Sequence, residues 1–104
     1  MNRTVVTRSF RIRADHPCLA GHFPGAPTVP AVVILDEVLS AAALGQRGLR
    51  IESLVQAKFV RPLPPDTVAT ISIEWRENSL AFNVACGDGA IAVGSFRTGP
   101  GANP

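Results

Sequence analysis

Residues 21–37 read GHFPGAPTVPAVVILDE. The first half of this segment is rich in glycine and proline and carries His22, whereas the second half is almost wholly apolar until Asp36. Proline is favoured at the first position of a helix, because its φ is already helical and its missing N–H needs no partner there. The segment therefore predicts a loop that leads into a buried helix, around which the rest of the chain is organised.

The predicted helix begins at Pro30 and ends at Gly45, where glycine favours termination. Val29 is the predicted cap, because a residue before proline is driven to an extended conformation. On a helical wheel, apolar side chains cover well over half of the circumference: Val32, Ile34, Leu35, Val38, Leu39, Ala41, Ala42 and Ala43. A helix that is apolar on most sides is predicted to be buried, with Asp36 at the edge of the apolar arc.

The remaining segments alternate apolar and polar residues with a period of two, which is typical of strands. Predicted strands occupy residues 3–13, 49–60, 68–75, 80–86 and 90–97. One helix and five strands favour an α+β fold with a curved antiparallel sheet packed on a central helix. We predict one domain over residues 1–98 and a disordered tail over residues 99–104.

The composition limits the classes of function. The chain has 104 residues, of which 46% are apolar, and this fits a single globular domain. Nine arginines and one lysine give a net charge of +2 without the clustered patch of a nucleic-acid binder. The densest group is Arg8, Arg11 and Arg13, which is typical of the solvent face of a strand.

Targeting signals and cysteine spacing add two expectations. The longest apolar run, residues 31–35, is too short to span a bilayer, and no apolar segment follows the basic residue near the start. We therefore expect a cytoplasmic protein that does not act at a membrane. Cys18 and Cys86 show no metal-ligand spacing, and two reduced thiols are expected, although a bridge between them stays open.

Two side chains of the opening segment are candidates for proton transfer. His22 lies in a loop that suits a general base, or it is a structural histidine bonded to a backbone carbonyl. Asp36 borders a face expected to be buried, so desolvation would raise its pKa and suit a general acid. The alternative for Asp36 is an ion pair with an arginine such as Arg61. Together, His22 and Asp36 form a plausible base and acid.

The backbone of the predicted first turn is a third candidate. The N–H groups of Ala31 and Val32 lack intrahelical partners and lie at the positive end of the helix dipole, where they can polarise a carbonyl. Water or a loop side chain could satisfy them instead.

Two other arrangements are weaker. A nucleophilic triad of Cys18, His22 and Asp36 has no recognised spacing. A metal site of His16, His22 and Asp36 matches no known ligand pattern.

The motif GHFPG at residues 21–25, followed by Pro27, by Val29-Pro30 and by an apolar helix carrying Asp36, resembles the signature of the 3-hydroxyacyl-[acyl-carrier-protein] dehydratases of the hot-dog fold. The resemblance continues at AKFVRPL, residues 57–63, and covers roughly residues 10–97. Only the segment from His22 to Asp36 is specific to this family.

The resemblance implies dehydration of a 3-hydroxyacyl thioester on acyl carrier protein to the trans-2-enoyl thioester, without metal or cofactor. It assigns His22 as base at C2, Asp36 as acid to the departing hydroxyl, and the N–H groups of Ala31 and Val32 as donors to the thioester carbonyl. The implied substrate-binding loop contains Phe23, Pro24, Gly25 and Pro30. Family members are homodimers in which the histidine and the acid come from different subunits.

Three features depart from the family. Ala31 stands where glycine is usual; the N–H is kept, and the added methyl group is expected to narrow the carbonyl pocket. Asp36 stands where many members have glutamate, although one branch that also isomerises its product uses aspartate. The short connection after the helix is similar to compact dehydratases of aryl-polyene pathways, so the substrate is expected to be of fatty acid or polyene type.

Two rival functions follow from the same fold. In a hot-dog thioesterase, an acid would activate water against the thioester carbonyl. A non-catalytic acyl-binding domain is the other rival, and Ala31 in place of glycine is its main support. The arginine excess is expected to help in docking an acidic carrier protein.

Overall fold

The computed structural model describes residues 5–16, 28–45, 49–87 and 89–100. In chain order the elements are β1 (Val5–Phe10), α1 (Ala31–Gly45), β2 (Leu49–Phe59), β3 (Ala69–Trp75), β4 (Ser79–Cys86) and β5 (Gly89–Pro100). The strands form one sheet in the order β1-β3-β4-β5-β2, and every neighbouring pair is antiparallel. The predicted α+β class, with one helix and an antiparallel sheet, is confirmed.

The hydrophobic core lies between α1 and one face of the sheet, which we call the inner face. The alternation predicted for β3 and β4 is observed, because their buried side chains are Ala69, Ile71, Ile73, Trp75, Leu80, Phe82 and Val84. From the helix, Ile34, Val38, Ala41 and Ala42 are buried against them. The aliphatic and aromatic side chains of these three elements are thus removed from water together, which is the main stabilising term of the fold.

The sheet order places β2 at an edge. Although β2 directly precedes β3 in the chain, it pairs with β5, and residues 60–68 cross to the far side of the sheet. The N–H of Val60 donates to the carbonyl oxygen of Ile91 (2.8 Å), and the N–H of Asp66 donates to that of Ile12 (2.7 Å). Asp66 adopts a positive φ of 58° in the turn. In the described part of the chain, the other edge of β2 is unpaired.

The helix ends at Gly45 as predicted and leaves one side exposed. Pro30 rather than Val29 is the cap, because its carbonyl oxygen accepts from the N–H groups of Val33 (3.0 Å) and Ile34 (3.3 Å). Burial is confirmed for most of the circumference, because Ile34, Val38, Ala41 and Ala42 are buried and Val33, Leu35 and Leu39 are partly buried against the core. The uncovered side carries Ala31, Val32, Asp36, Ser40 and Ala43, all exposed. Within the described ranges, no helix has the length and apolar character needed to cross a membrane.

The prediction places the start of the disordered tail too early in the chain. Gly99 and Pro100 belong to β5, where they pair with Arg50 and Leu49 of β2. Thr98 is only 4% exposed, and its N–H donates to the carbonyl oxygen of Asn78 (3.0 Å). The strand continues because β2 is long enough to supply partners for these residues, which their glycine- and proline-rich composition does not reveal.

Candidate active site

The start of α1 is held by the segment that follows β2. Val29 is 5% exposed, and its N–H donates to the carbonyl oxygen of Leu63 (2.9 Å). Arg61 and Val60 are themselves tied to β5, since both N–H groups point to the carbonyl oxygen of Ile91 (3.4 and 2.8 Å). The first turn of the helix is therefore fixed to the sheet through backbone hydrogen bonds.

Two backbone N–H donors lie in this first turn. The N–H groups of Ala31 and Val32 meet no acceptor within the ranges that the structure describes. Both residues are exposed, with Val32 at 70%. Because unpaired N–H groups and the helix dipole both favour negative charge at this end, the first turn can hold a carbonyl oxygen on which charge develops.

A pocket of about 390 Å³ lies beside the first of these two residues, Ala31. Its wall combines the residues before and in the first turn of α1 with the end of β2 and the segment after it: Thr28, Val29, Pro30, Ala31, Ile34, Phe59, Val60, Arg61, Pro62 and Leu63. Most of these side chains are apolar, which suits an acyl thioester more than a strongly hydrated substrate. The predicted site residues Pro30 and Ala31 are thus brought together at one pocket.

Among the described residues of this lining, Arg61 is the one that carries a charge. Its guanidinium Nη2 lies 3.7 Å from the Sγ of Cys86, which is a free thiol. Sequence reasoning considered Arg61 only as an ion-pair partner for Asp36 and did not assign it to the pocket. The signal that could have found it is its position in the RP pair that closes β2, next to the segment that holds Val29.

Asp36 lies on the exposed side of α1, one turn after Val32, so the two side chains share a face of the helix. Among the residues that the structure describes, none covers the side chain of Asp36, which is exposed. The predicted alternative, an ion pair with Arg61, is also absent from the described residues. The ion pairs found there are Arg13–Asp15, Arg50–Glu52 and Arg76–Glu74.

Several predicted residues lie outside the described ranges: Cys18, His22, Phe23, Pro24 and Gly25. The roles assigned to them stay predictions. His16 is described and exposed. Among the described residues, no group of three or more histidine, cysteine, aspartate or glutamate side chains could hold a metal ion.

Two curated proteins of similar sequence are named for the same enzymatic activity. The chain is 31% identical over 86 residues to the 3-hydroxyacyl-[acyl-carrier-protein] dehydratase FabZ of Chlamydia trachomatis, covering 72% of this chain and 56% of that protein. It is 30% identical over 94 residues to FabZ of Haemophilus influenzae, covering 78% and 64%. The chain thus spans about three fifths of the length of these relatives.

Solved structures confirm the predicted hot-dog fold. An uncharacterized protein from Erwinia carotovora superposes with a TM-score of 0.84 at 25% identity, covering 96% of this chain and 86% of that chain. The dehydratase heterocomplex ApeI:P from Xenorhabdus doucetiae gives 0.80 at 24% identity, covering 94% of both chains. A mutant of the fluoroacetyl-CoA-specific thioesterase FlK gives 0.71 at 15% identity, covering 94% and 86%.

The family comparison covers nearly the whole chain. Residues 2–95 match the model of the ApeI-like family, described as ApeI dehydratase. This range includes every element described above except the end of β5. The chain belongs to the ApeI-like dehydratase family.

Proposed function

We propose that this protein removes water from a 3-hydroxyacyl thioester on acyl carrier protein and forms the trans-2-enoyl thioester. The observation that carries the proposal is the first turn of α1, where two N–H groups meet no acceptor among the described residues. One of these residues, Ala31, lines an apolar pocket, and Asp36 follows on the same helix. The names of the curated relatives support the reaction class. The likeness to a thioesterase supports the fold alone, because the identity is 15%.

The elimination divides into three tasks. The N–H of Ala31, with that of Val32, holds the thioester carbonyl oxygen, on which negative charge develops as C2 loses a proton. His22 takes that proton as general base. Asp36 donates a proton to the hydroxyl at C3, the C3–O bond breaks, and the products are water and a C2=C3 double bond. Pro30 and the loop residues Phe23, Pro24 and Gly25 surround the reacting atoms.

The proposal also includes the oligomeric state and the cellular location. The protein acts in the cytoplasm as a homodimer, and His22 of one subunit meets Asp36 of the other. A second subunit would cover the exposed side of α1 and remove Asp36 from water. The substrate belongs to fatty acid or polyene biosynthesis, and the basic surface docks an acidic carrier protein.

The test is a product analysis with two matched pairs of variants. Purified protein is incubated with a 3-hydroxyacyl thioester on acyl carrier protein, and the products are followed by mass spectrometry. Loss of one water supports the proposal, whereas release of a free acid would indicate a thioesterase. An unchanged substrate would indicate an acyl-binding domain.

The variants His22→Ala and Asp36→Asn should each lower the dehydration rate about a hundredfold or more, because positioned acid–base groups supply factors of this size. Their controls are His16→Ala and Glu37→Gln, which remove the same kinds of group from neighbouring positions. Near-normal rates in both test variants would contradict the assigned roles.

A further inference from the structure

The segment that crosses from β2 towards β3, residues 60–66, is attached to other parts of the molecule at both of its ends. At its start, the N–H of Val60 donates to the carbonyl oxygen of Ile91 in β5 (2.8 Å). At its end, the N–H of Asp66 donates to the carbonyl oxygen of Ile12, just after β1 (2.7 Å). Because two strands separate β5 from β1 in the sheet, this segment spans the sheet, and we call it the bridge.

The middle of the bridge holds the start of α1. The carbonyl oxygen of Leu63 accepts a hydrogen bond from the N–H of Val29 (2.9 Å), and both residues are buried. Val29 lies two residues before Ala31, whose N–H is the proposed donor to the thioester carbonyl. The position of the Leu63 carbonyl therefore sets the position of the residues that lead into this donor.

The composition of the bridge makes it stiff. Three of its seven residues are proline, at positions 62, 64 and 65, and a proline ring fixes φ at about −65°. The side chain of Leu63 is packed in the core. A stiff segment that is attached at both ends leaves its central carbonyl little freedom, so a change at one end displaces that carbonyl.

Asp66 ends the bridge in the left-handed conformation, with a φ of 58°. Among the described residues, it is the one residue other than glycine that has a positive φ. The Cβ of an L residue disfavours this conformation, least for asparagine and aspartate and most for β-branched residues. Asp66 is exposed, and its carboxylate forms no ion pair within the described ranges. The backbone conformation, rather than the charge, is therefore what this position contributes.

We infer that Asp66 is a positioning residue for the first turn of α1. Its left-handed conformation directs its N–H to Ile12, which fixes the end of the bridge and with it the Leu63 carbonyl that holds Val29. This role rests on the proposed function in one respect, that the N–H of Ala31 receives the thioester carbonyl oxygen. A misplacement of about 1 Å caused by a change far from the reacting atoms can cost about a hundredfold in rate. Asp66 therefore affects the reaction without contacting the substrate.

Hydrogen exchange followed by NMR tests the bridge without any substrate. In Asp66→Val, the β-branched side chain opposes a positive φ, so the amide of Val29 should exchange about tenfold faster or more than in the unmodified chain. The amide of Thr98, which donates to Asn78 at the opposite end of β5, should keep its rate and is the internal reference. If the valine variant fails to fold, Asp66→Ala provides the same test with a smaller steric conflict.

Asp66→Gly and Asp66→Asn are the matched controls. Glycine adopts a positive φ freely, and asparagine tolerates it while lacking the charge. Both variants should keep the exchange rate of Val29 and the kcat for dehydration within about twofold of the unmodified chain. If both lost as much activity as Asp66→Val, the carboxylate rather than the turn would be responsible, and the inference would be overturned.

Steady-state dehydration kinetics test whether Asp66 acts through Ala31. We expect Asp66→Val to lower kcat about tenfold to a hundredfold and to leave KM almost unchanged, because the affected interaction strengthens in the transition state. Ala31→Pro removes the donor itself, since proline has no N–H. In that background, Asp66→Val should lower kcat little further, because the donor on which it acts is already absent. Two effects that multiply independently would overturn the inference.

The positioning role and the proposed function fail in different ways. An unmodified chain that does not dehydrate the substrate would overturn the proposed function, while the exchange rate of Val29 would still show whether Asp66 positions the first turn. An active chain in which Asp66→Val keeps its kcat would overturn the positioning role and leave the proposed function in place. Unchanged exchange at Val29 in Asp66→Val would overturn the positioning role on its own.

Discussion

At the scale of single residues, the backbone N–H of Ala31 can be removed without changing the core. Proline is accepted in the first turn of a helix, so Ala31→Pro deletes the donor while the helix is kept. We expect kcat for dehydration to fall about a hundredfold, the usual effect of losing one donor to a developing oxyanion. The measurement is steady-state kinetics, with thermal unfolding to verify that the fold is retained.

The control at this position is Ala31→Gly, which keeps the N–H and removes only the methyl group. We expect it to keep kcat within a few-fold and to lower KM if the methyl group narrows the pocket. Equal activity of the proline and glycine variants would contradict a role for the Ala31 donor, leaving Val32 as the remaining candidate.

The residues of the site were predictable from sequence to different degrees. The donors at Ala31 and Val32 follow from Pro30, because a helix start fixes which N–H groups are unpaired. The exposure of Asp36 does not follow, since a helix with apolar residues on most sides does not reveal which side meets the sheet. Arg61 was missed as a pocket residue because its proximity to Ala31 depends on a long-range bond between Val29 and Leu63.

At the scale of elements, Gly94 of β5 lies in close contact with both β2 and β4. A Cβ on Gly94 would meet the carbonyl oxygen of Gln56 and would lie 2.6 Å from Cζ of Phe82. We expect Gly94→Ala to lower the free energy of unfolding by about 1–3 kcal/mol, the usual cost of overpacking. Urea unfolding measures this, with Gly87→Ala as control, because a Cβ there has nothing within 4 Å. Equal stability of both variants would contradict the close approach.

The strands themselves were predictable, but their order was not. Alternation identified the buried faces of β3 and β4 because the period of a strand is local information. The pairing of β2 with β5 joins segments that are about forty residues apart, and no local pattern encodes it. The same pairing explains why Thr98, Gly99 and Pro100 are strand rather than tail, since their partners in β2 decide their conformation.

At the scale of the whole molecule, two surfaces are exposed in the described part of the chain, and the proposed second subunit would cover them. One is the side of α1 that carries Val32 and Asp36, and the other is the edge of β2 around Leu54. Exposed apolar side chains at an open edge favour association because burial removes them from water. Asp36 would then lie near an interface, where a partner can both desolvate it and supply the base.

Mixing two inactive variants tests whether the active site is shared. Suppose that His22 and Asp36 of each site come from different subunits. A dimer of one His22→Ala chain and one Asp36→Asn chain then has one site with both substitutions and one site with neither. Random exchange of equal amounts makes half of the dimers mixed, so we expect about a quarter of the wild-type activity to return. The assay is dehydration after partial unfolding and refolding of the mixture, with each variant refolded alone as control. Activity no higher than that of the separate variants would mean that both residues of a site belong to one chain.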